Sequence, residues 1–421
     1  MGGQKGSGIG ILVLFFLCLS ADFPPCFSAA NQPQTNTNQK SFLNQIGSSA
    51  VFPLKGNVYP LGYYSVSVKI GNPPKVFELD IDTGSDLTWV QCDAPCTGCT
   101  KPRDQLYKPK NNILLCSDPI CASVPKPRNH PCKAPKDQCD YEIGYADDGS
   151  SLGVIVVDNF PLQLTNGTRL GPRLAFGCGY DQSHPGPNAP PPTAGVLGLG
   201  NGKSSILSQL SQQGLARNVV GHCLSGKGGF LFFGDDFVPS KGITWTPMTS
   251  SSGNHYSSGP AALYFGGKAA GAKGLNFVFD SGSSYTYFNS LAYGAVVDLL
   301  KKDLNGKLKE VKDPSLPLCW KGSKPFKSVQ DVKSYFKPLA LSFKKGWGSS
   351  QLQFPPEAHL VITVHGNACL GILNGHEVGL GDLNVLGDIS LEHQMVIYDN
   401  EEQRIGWIPA NCDRIPKSGN T

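Results

Sequence analysis

Residues 76–90, which read VFELDIDTGSDLTWV, decide the fold of this chain. An apolar run that is predicted to be a strand leads into Asp82, and Thr83-Gly84-Ser85 follows before a second apolar run begins. A glycine beside a carboxylate at the end of a strand indicates a tight turn that approaches another element closely. The stretch therefore places an acidic side chain where two parts of the chain can meet.

The same pattern returns in the second half of the chain. Residues 277–288 read FVFDSGSSYTYF, and both stretches contain D-x-G-S-x-x-T, with Asp82 and Asp280 lying 198 residues apart. Each acid turn is followed by an element of two apolar residues and a glycine, which ends at Gly198 and at Gly387. Glycine there would let one strand cross close to the turn. The repeat predicts two lobes that each contribute one carboxylate to a shared site.

Length and composition agree with a large, turn-rich protein. A chain of 421 residues exceeds the size at which one hydrophobic core stops growing, which favours two domains. Fifty Gly and 33 Pro, with 16% charged residues, are typical of β-rich proteins. The net charge of +4 comes without a basic stripe interleaved with aromatics, so we expect no nucleic-acid partner. The eight His show no H-E-x-x-H arrangement, so we expect no metal and no cofactor.

The N-terminus has the layout of a cleaved signal peptide. Lys5 precedes an apolar run at residues 9–19, and small residues end at Ala30. The run is too short for a membrane-spanning helix. We therefore expect residues 1–30 to be a signal peptide and the mature protein to be secretory, free of the membrane, and located in the extracellular space (apoplast) or the vacuole. Asn166 begins an Asn-Gly-Thr acceptor for glycosylation.

The number and spacing of the cysteines also agree with a secretory protein. Twelve of the 14 follow Ala30, and seven of these lie within residues 92–139. The spacing of Cys96 and Cys99 also fits half of a zinc site. In an oxidising compartment disulfides are favoured over zinc, and the sequence leaves their connectivity open.

Residues 139–160 predict a hairpin with a glycine-bearing tip, with Tyr145 at its shoulder and a return strand at residues 154–157.

Two other motifs match known active-site patterns, but the residues around them do not fit those patterns. GSSLG at residues 149–153 matches the G-x-S-x-G of serine hydrolases, but a Val/Ile strand follows instead of the required helix. The Gly-Lys-Ser at residues 202–204 lacks the first glycine of a phosphate loop, because position 197 is Leu.

Together these features resemble the pepsin-type aspartic endopeptidases, over nearly the whole chain from about Tyr63 to Cys412. The plant branch of nepenthesin-like and nucellin-like proteins is the most similar, because it shares the cysteine-rich insert and a DSG second motif. The resemblance implies an all-β, bilobal fold of two pseudo-symmetric six-stranded β-barrel lobes with a cleft between them and few short helices. Residues 31–50 would be disordered or a short pro-segment, residues 51–230 the N-terminal lobe and residues 231–421 the C-terminal lobe.

The resemblance implies that Asp82 and Asp280 together hydrolyse peptide bonds. Two carboxylates about 3 Å apart cannot both ionise, so they share one proton and titrate as a coupled pair. The ionised member takes a proton from a water, while the protonated member polarises the scissile carbonyl. The family further implies polypeptide substrates, activity at acidic pH, a monomer without a cofactor, and inhibition by pepstatin.

The residues beside the two aspartates match family positions with supporting roles. The residue after each aspartate would hydrogen-bond across the lobe junction, the glycine would bring a backbone N–H to the carboxylate, and the next serine would bond its outer oxygen. These residues are Thr83, Gly84 and Ser85 in the first turn, and Ser281, Gly282 and Ser283 in the second.

Two aromatic residues match the flap that covers the substrate. Tyr145 matches the flap tyrosine, and Trp89 matches the residue whose ring N–H can bond to it. The tip at residues 146–149 is one residue longer than the common form, which leaves its geometry open.

A binding protein on the same fold is the alternative function. Plant xylanase inhibitors resemble this branch but have lost the catalytic pairing, so the fold alone does not decide activity. Because both acid turns are retained here, the sequence favours the enzyme.

Overall fold

The computed structural model describes residues 49–184, 193–249, 255–345 and 348–416. The predicted signal peptide and residues 31–48 lie outside these ranges. Within them, no helix is both long enough and apolar enough to pass through a lipid bilayer.

The first half of the chain forms twelve strands and one α-helix among the described residues. The strands are β1 Ala50–Asn57, β2 Tyr63–Ile70, β3 Lys75–Asp82, β4 Trp89–Gln91, β5 Asp140–Gly144, β6 Ser150–Asn159, β7 Leu162–Gln163, β8 Arg169–Leu170, β9 Arg173–Ser183, β10 Gly195–Gly198, β11 Val219–Ser225 and β12 Gly228–Phe233. The helix is α1 Ile206–Gln212, and 3-10 turns lie at Arg103–Gln105 and Cys121–Ser123.

The second half holds sixteen strands and two α-helices in the same described ranges. The strands are β13 Thr244–Thr249, β14 Ser257–Ser258, β15 Ala261–Phe265, β16 Lys268–Leu275, β17 Phe277–Phe279, β18 Thr286–Phe288, β19 Lys309–Val311, β20 Cys319–Lys321, β21 Leu339–Lys345, β22 Gly348–Phe354, β23 Leu360–Ile362, β24 Ala368–Leu370, β25 Ile372–Asn374, β26 Asn384–Leu386, β27 Gln394–Asp399 and β28 Arg404–Pro409. The helices are α2 Ser290–Leu304 and α3 Asp388–Leu391, with 3-10 turns at Val329–Asp331, Lys333–Tyr335, Pro356–Ala358 and Gly375–Val378.

Side-chain alternation in β3 fixes which face of the first lobe is buried. Phe77, Leu79 and Ile81 point into the hydrophobic core and are at most 2% exposed. Because successive side chains of a strand point to opposite faces, Asp80 and Asp82 share the other face. β3 therefore carries its acidic side chains away from the core and towards the space that the two lobes share.

One sheet of 18 strands passes through both halves of the chain. β11 pairs antiparallel with β27, with Gly221 opposite Ile397, and this pairing joins the two halves. Two four-stranded sheets and a two-stranded sheet complete the described strands. The predicted all-β, bilobal fold with few short helices is confirmed, and hydrogen bonds of the common sheet join the two halves.

The two halves repeat the same local arrangement around their acid turns. In the first half, β10 lies parallel to β3, with Gly198 opposite Asp82, and antiparallel to β4. In the second half, β26 lies parallel to β17 and antiparallel to β18. The predicted boundary between residues 230 and 231 falls within β12, and the division into domains stays a prediction.

Six disulfides resolve the connectivity that the sequence left open. They are Cys92–Cys178, Cys96–Cys99, Cys116–Cys132, Cys121–Cys139, Cys223–Cys412 and Cys319–Cys369. All twelve cysteines after residue 30 are paired. The sulfur atoms of Cys96 and Cys99 therefore form a disulfide and not half of a zinc site.

Local predictions met mixed outcomes. The spacing of apolar residues over positions 290–304 predicts a helix. α2 has these bounds, and Asn289 caps it by accepting a hydrogen bond from Ala292 N at 3.0 Å. The strand-like composition of residues 333–347 predicts a strand over that range, but β21 begins only at Leu339. Two 3-10 turns precede it, and Ser328 and Asp331 form a capping box at the first. The hairpin strand predicted to return at residue 154 already begins at Ser150.

The predicted glycosylation site, Asn166, lies exposed in the turn between β7 and β8. Its glycosylation stays a prediction.

We expect Gly198→Ala to destabilise the protein by about 1–3 kcal/mol, because an added methyl group overpacks a filled interior. A Cβ at residue 198 would lie 2.6 Å from the backbone carbon and oxygen of Asp86. Thermal unfolding measures the effect. Gly294→Ala is the control, because a Cβ there meets nothing within 4 Å and alanine stabilises a helix interior by about 0.5–1 kcal/mol. Equal unfolding temperatures for Gly198→Ala and the wild type would contradict the expectation.

Candidate active site

The two acid turns meet at the junction of the lobes. β3 delivers Asp82 at its last position, and β17 ends one residue before Asp280. The backbone N–H of Leu199 donates to Asp82 O at 2.8 Å, and the N–H of Asp280 donates to Leu386 O at 3.0 Å. Each aspartate is thus anchored by the strand that crosses behind its turn.

Each carboxylate is held by its own turn in the same way. Gly84 N donates to Asp82 Oδ1 at 2.8 Å, and Gly282 N donates to Asp280 Oδ1 at 2.9 Å. The hydroxyl of Ser85 donates to Asp82 Oδ2, and that of Ser283 donates to Asp280 Oδ2 at 2.7 Å. In both carboxyls the inner oxygen, Oδ1, accepts from a glycine N–H and the outer oxygen, Oδ2, accepts from a serine hydroxyl.

The glycines bring the two carboxyls face to face. A Cβ on Gly84 would lie 2.6 Å from Asp280 Oδ1, and a Cβ on Gly282 would lie 2.6 Å from Asp82 Oδ1. Each turn therefore touches the carboxyl of the other lobe at a place that a side chain would fill. This close approach explains why both turns contain glycine.

Four crossed hydrogen bonds lock the turns together. Thr83 N donates to Ser281 Oγ at 3.1 Å, and Ser281 N donates to Thr83 Oγ1 at 2.9 Å. The Thr83 hydroxyl donates to Phe279 O at 3.0 Å, and the Ser281 hydroxyl donates to Ile81 O at 3.2 Å. Thr83 is fully buried and Ser281 is 3% exposed, so these bonds are shielded from water.

Burial and mutual charge shape the electrostatics of the pair. Burial raises the pKa of Asp82 above the usual range of an aspartate, and the charge of Asp280 raises it further. The hydrogen bonds from Ser85 and Gly84 act in the opposite direction because they favour the ionised form. Asp82 therefore holds a proton to higher pH than an exposed aspartate.

The predicted flap residues are joined to each other. The hairpin of β5 and β6 carries Tyr145 at its turn, where Tyr145 N donates to Gly149 O at 2.8 Å. Asp148 adopts a positive φ of 65°, which lets the tip hold its additional residue. Trp89 Nε1 donates to the Tyr145 hydroxyl at 2.6 Å. This bond fixes the flap tyrosine over the first lobe.

Sequence reasoning missed the roles of two threonines. The last residue of each D-x-G-S-x-x-T repeat is Thr88 or Thr286, and both are fully buried. Gly198 N donates to Thr88 Oγ1 at 3.1 Å, and Gly387 N donates to Thr286 Oγ1 at 3.2 Å. Each threonine ties the crossing strand to its acid turn, and its recurrence at the same place in both repeats was the available signal.

Two further buried carboxyls near the pair were also missed. Asp388 follows Gly387, is 1% exposed, and its backbone N–H donates to Ser283 O at 2.8 Å. Burial, and then the charge of Asp280, raises the pKa of Asp388 well above its usual range. The pKa of Asp80 rises to about 7, mainly through burial. Neither residue belongs to the D-x-G-S-x-x-T motif, although Asp80 lies two residues before Asp82 and Asp388 directly follows Gly387.

Candidate metal ligands in the described part of the chain are already bonded to one another. Cys116, Cys121 and Cys132 lie close enough together to hold an ion, as do Asp313, Cys319 and Cys369. A thiolate is the form of cysteine that binds a metal. Because these sulfur atoms form disulfides, they do not offer that donor set.

The chain matches two family descriptions in succession. Residues 64–235 match "Xylanase inhibitor N-terminal" and residues 261–409 match "Xylanase inhibitor C-terminal". A rice (Oryza sativa subsp. japonica) protein named aspartic proteinase is 45% identical over 385 residues, which cover 88% of this chain and 93% of the relative. The chain belongs to the pepsin-type plant aspartic proteinases. Its predicted class, an aspartic-type endopeptidase, is thereby confirmed at the level of the family.

One further relative agrees with this membership, and one solved structure agrees with the fold. Aspartic proteinase nepenthesin-2 from Nepenthes gracilis is 25% identical, with coverage of 83% of this chain and 78% of the relative. Basic 7S globulin from soybean superposes with a TM-score of 0.67 at 18% identity, covering 89% of this chain and 100% of the globulin. The globulin supports the bilobal all-β fold alone.

We expect Thr83→Val to lower the free energy of unfolding by about 2–4 kcal/mol. Valine has a similar shape but no hydroxyl, so the buried N–H of Ser281 and the buried carbonyl of Phe279 each lose a partner, at about 1–3 kcal/mol for each group. Chemical unfolding with the disulfides intact measures the change. Thr83→Ser is the matched control because it retains the hydroxyl, and an equal loss in both variants would exclude this explanation.

We expect Asp388→Asn to weaken the dependence of stability on pH. The unfolded carboxyl ionises near pH 4, whereas the folded one, with its raised pKa, keeps its proton. Its contribution to stability is therefore complete below pH 4 and is lost as pH rises through the folded pKa, by at most about 1.4 kcal/mol per pH unit for one proton. Unfolding free energies at pH 4, 5.5 and 7 would show a smaller fall in Asp388→Asn than in the wild type; identical falls would refute the expectation.

Proposed function

We propose that this chain is a secretory aspartic endopeptidase that hydrolyses peptide bonds at acidic pH with a water activated by Asp82 and Asp280. The observation that carries the proposal is the meeting of the two carboxyls. Their inner oxygens lie against the glycine of the opposite turn, at distances that exclude a side chain. A pair so placed can share one proton, and acid–base catalysis at a peptide bond needs one ionised and one protonated carboxyl.

The arrangement supports a proton exchange between substrate and enzyme. The ionised carboxyl takes a proton from the attacking water, and the protonated carboxyl donates a hydrogen bond to the carbonyl oxygen. As the tetrahedral intermediate collapses, the carboxyl that gained the water's proton gives one to the leaving nitrogen. Ser85 and Ser283 bond the outer oxygens, so both inner oxygens stay directed at the reacting atoms. The raised pKa of Asp82 helps the pair keep its shared proton in acid.

The flap supplies the cover for a bound peptide. Tyr145 is held by Trp89, and the burial of its hydroxyl, followed by the charge of Asp82, raises its pKa well above the usual value. The phenol stays neutral and can donate a hydrogen bond to a substrate backbone. Excluding water strengthens the electrostatic interactions between the carboxyls and the peptide.

Further parts of the proposal rest on the sequence. Removal of residues 1–30 would release the protein into the apoplast or the vacuole, with residues 31–50 as a short pro-segment and Asn166 as a glycosylation site. We propose that it acts as a monomer on polypeptides, without nucleic acid, cofactor or membrane attachment, and that pepstatin inhibits it.

A non-catalytic binding protein is the second candidate, because both matched family descriptions name xylanase inhibitors. Both functions can occupy one fold. The complete and matching sets of donors around Asp82 and Asp280 favour catalysis, since a binding protein has no need to hold two carboxyls against each other.

The deciding experiment is cleavage of denatured globin at pH 3–5 with and without pepstatin. We expect cleavage that pepstatin abolishes, and a fall of about 10²- to 10⁴-fold in Asp82→Asn, because removing a general acid or base costs that much. Asp298→Asn, on the exposed face of α2, serves as the control and should cleave as the wild type does. Absence of pepstatin-sensitive cleavage by the folded wild type would reject the protease and favour the binding protein.

A further inference from the structure

Asp80 is a carboxyl beside the catalytic pair to which the proposed chemistry gives no task. It lies two residues before Asp82 on β3, so both side chains leave the same face of the strand. As a whole residue Asp80 is partly exposed, although its carboxyl is largely buried, while the core-facing neighbours Leu79 and Ile81 are buried completely. The side chain of Asp80 therefore leaves β3 on the face opposite to the one that packs in the core.

Strand register places Asp80 in the same row of side chains as the tryptophan that holds the flap tyrosine. Val196 of β10 lies opposite Asp80 on one side and opposite Trp89 of β4 on the other. Side chains at paired positions project from the same face of a sheet. Asp80, Val196 and Trp89 thus form a continuous row, and Trp89 donates its ring N–H to the flap tyrosine Tyr145. The row therefore adjoins the flap through Trp89.

The carboxyl of Asp80 is only half satisfied. Its Oδ2 accepts a hydrogen bond from the Thr193 hydroxyl at 2.8 Å. Its Oδ1 is shielded from solvent and has no hydrogen-bond partner among the described residues. An unsatisfied buried acceptor costs free energy that a donor on a ligand can recover.

The charges around Asp80 are mainly negative. The charge of Glu78 raises the pKa of Asp80 and the positive charge of Lys101 lowers it, with Lys101 the weaker of the two. Asp80 and Glu78 in turn raise the pKa of Tyr63, and Asp82 lies on the same face of β3. The negative electrostatic potential beside Asp80 would attract a cation. A bound cation would in turn lower the pKa of Asp80 and favour its ionised form.

We propose that Asp80 makes the subsite beneath the flap select a basic substrate side chain, lysine or arginine. The inference rests on the proposed endopeptidase function and names the substrate class of that same cleft. The aliphatic stem of lysine would pack on Val196 and Trp89, and its ammonium group would donate to Asp80 Oδ1. Asp80 acts here as a specificity-determining residue and takes no part in the proton transfers of the catalytic pair.

The test compares matched peptides with the wild-type enzyme at pH 5.5. A peptide of about eight residues that the enzyme cleaves carries lysine, norleucine or acetyl-lysine at each position in turn. Norleucine matches the stem of lysine, and acetyl-lysine matches its length without the charge. We expect kcat/KM for lysine to exceed that for both neutral residues by about tenfold at one position next to the cleaved bond, because a hydrogen bond to a charged group contributes about 1.5–3 kcal/mol.

Two variants assign the preference to Asp80. Asp80→Asn keeps the shape of the side chain and removes its charge. In this variant the kcat/KM of the lysine peptide, divided by that of the norleucine peptide, should fall to about one. In the control Glu78→Gln the ratio should persist, because Glu78 lies on the same face of β3 but is bonded to Ser65 and Lys55. The ratio is internal to each variant, so a general loss of activity does not affect it. If folded Asp80→Asn cleaves no peptide, calorimetric binding of the same peptides replaces kcat/KM.

Each outcome decides one of the two claims. A wild type that cleaves globin but shows no preference for lysine over norleucine at any position overturns the role of Asp80 and leaves the protease standing. Retention of the preference in Asp80→Asn, by turnover or by binding, overturns it as well. A folded wild type that cleaves neither globin nor any peptide overturns the proposed function instead.

Discussion

The crossed hydrogen bonds between Thr83 and Ser281 are the constraint on which the rest of the site depends. They join two turns that lie 198 residues apart in the chain, and both side chains are buried. Without them each lobe would still hold its carboxyl within its own turn, but no direct bond between the two turns would set the distance between the carboxyls. Glycine on each turn then allows the approach, and Thr88 and Thr286 hold the crossing strands in place.

Much of this arrangement could be predicted because the sequence repeats it. The two D-x-G-S-x-x-T motifs predicted both acid turns and the supporting side chains, and the bounds of α2 followed from its apolar spacing. The start of β21 was wrong, because the capping box of Ser328 and Asp331 sets a local conformation that strand-like composition does not reveal.

The sequence could not predict which residues lie beside Asp80 or which cysteines pair, and the reason is physical. Both depend on which distant segments lie side by side. β10 separates β3 from β4 in space although it follows both by about a hundred residues, so only the folded register shows that Asp80 shares a face with Trp89. Cys92 finds Cys178 through the parallel pairing of β4 and β9 in the same way.

The cysteine-rich segment between β4 and β5 has a consequence for the lifetime of the protein. It is largely irregular and exposed, which is the kind of chain that an endopeptidase attacks. A peptide must enter a narrow cleft as an extended strand, and the bonds Cys96–Cys99, Cys116–Cys132 and Cys121–Cys139 close loops of only 3, 16 and 18 residues. Loops closed in this way extend less readily than an open chain, so the three bonds make the segment a poorer substrate for the endopeptidase proposed above.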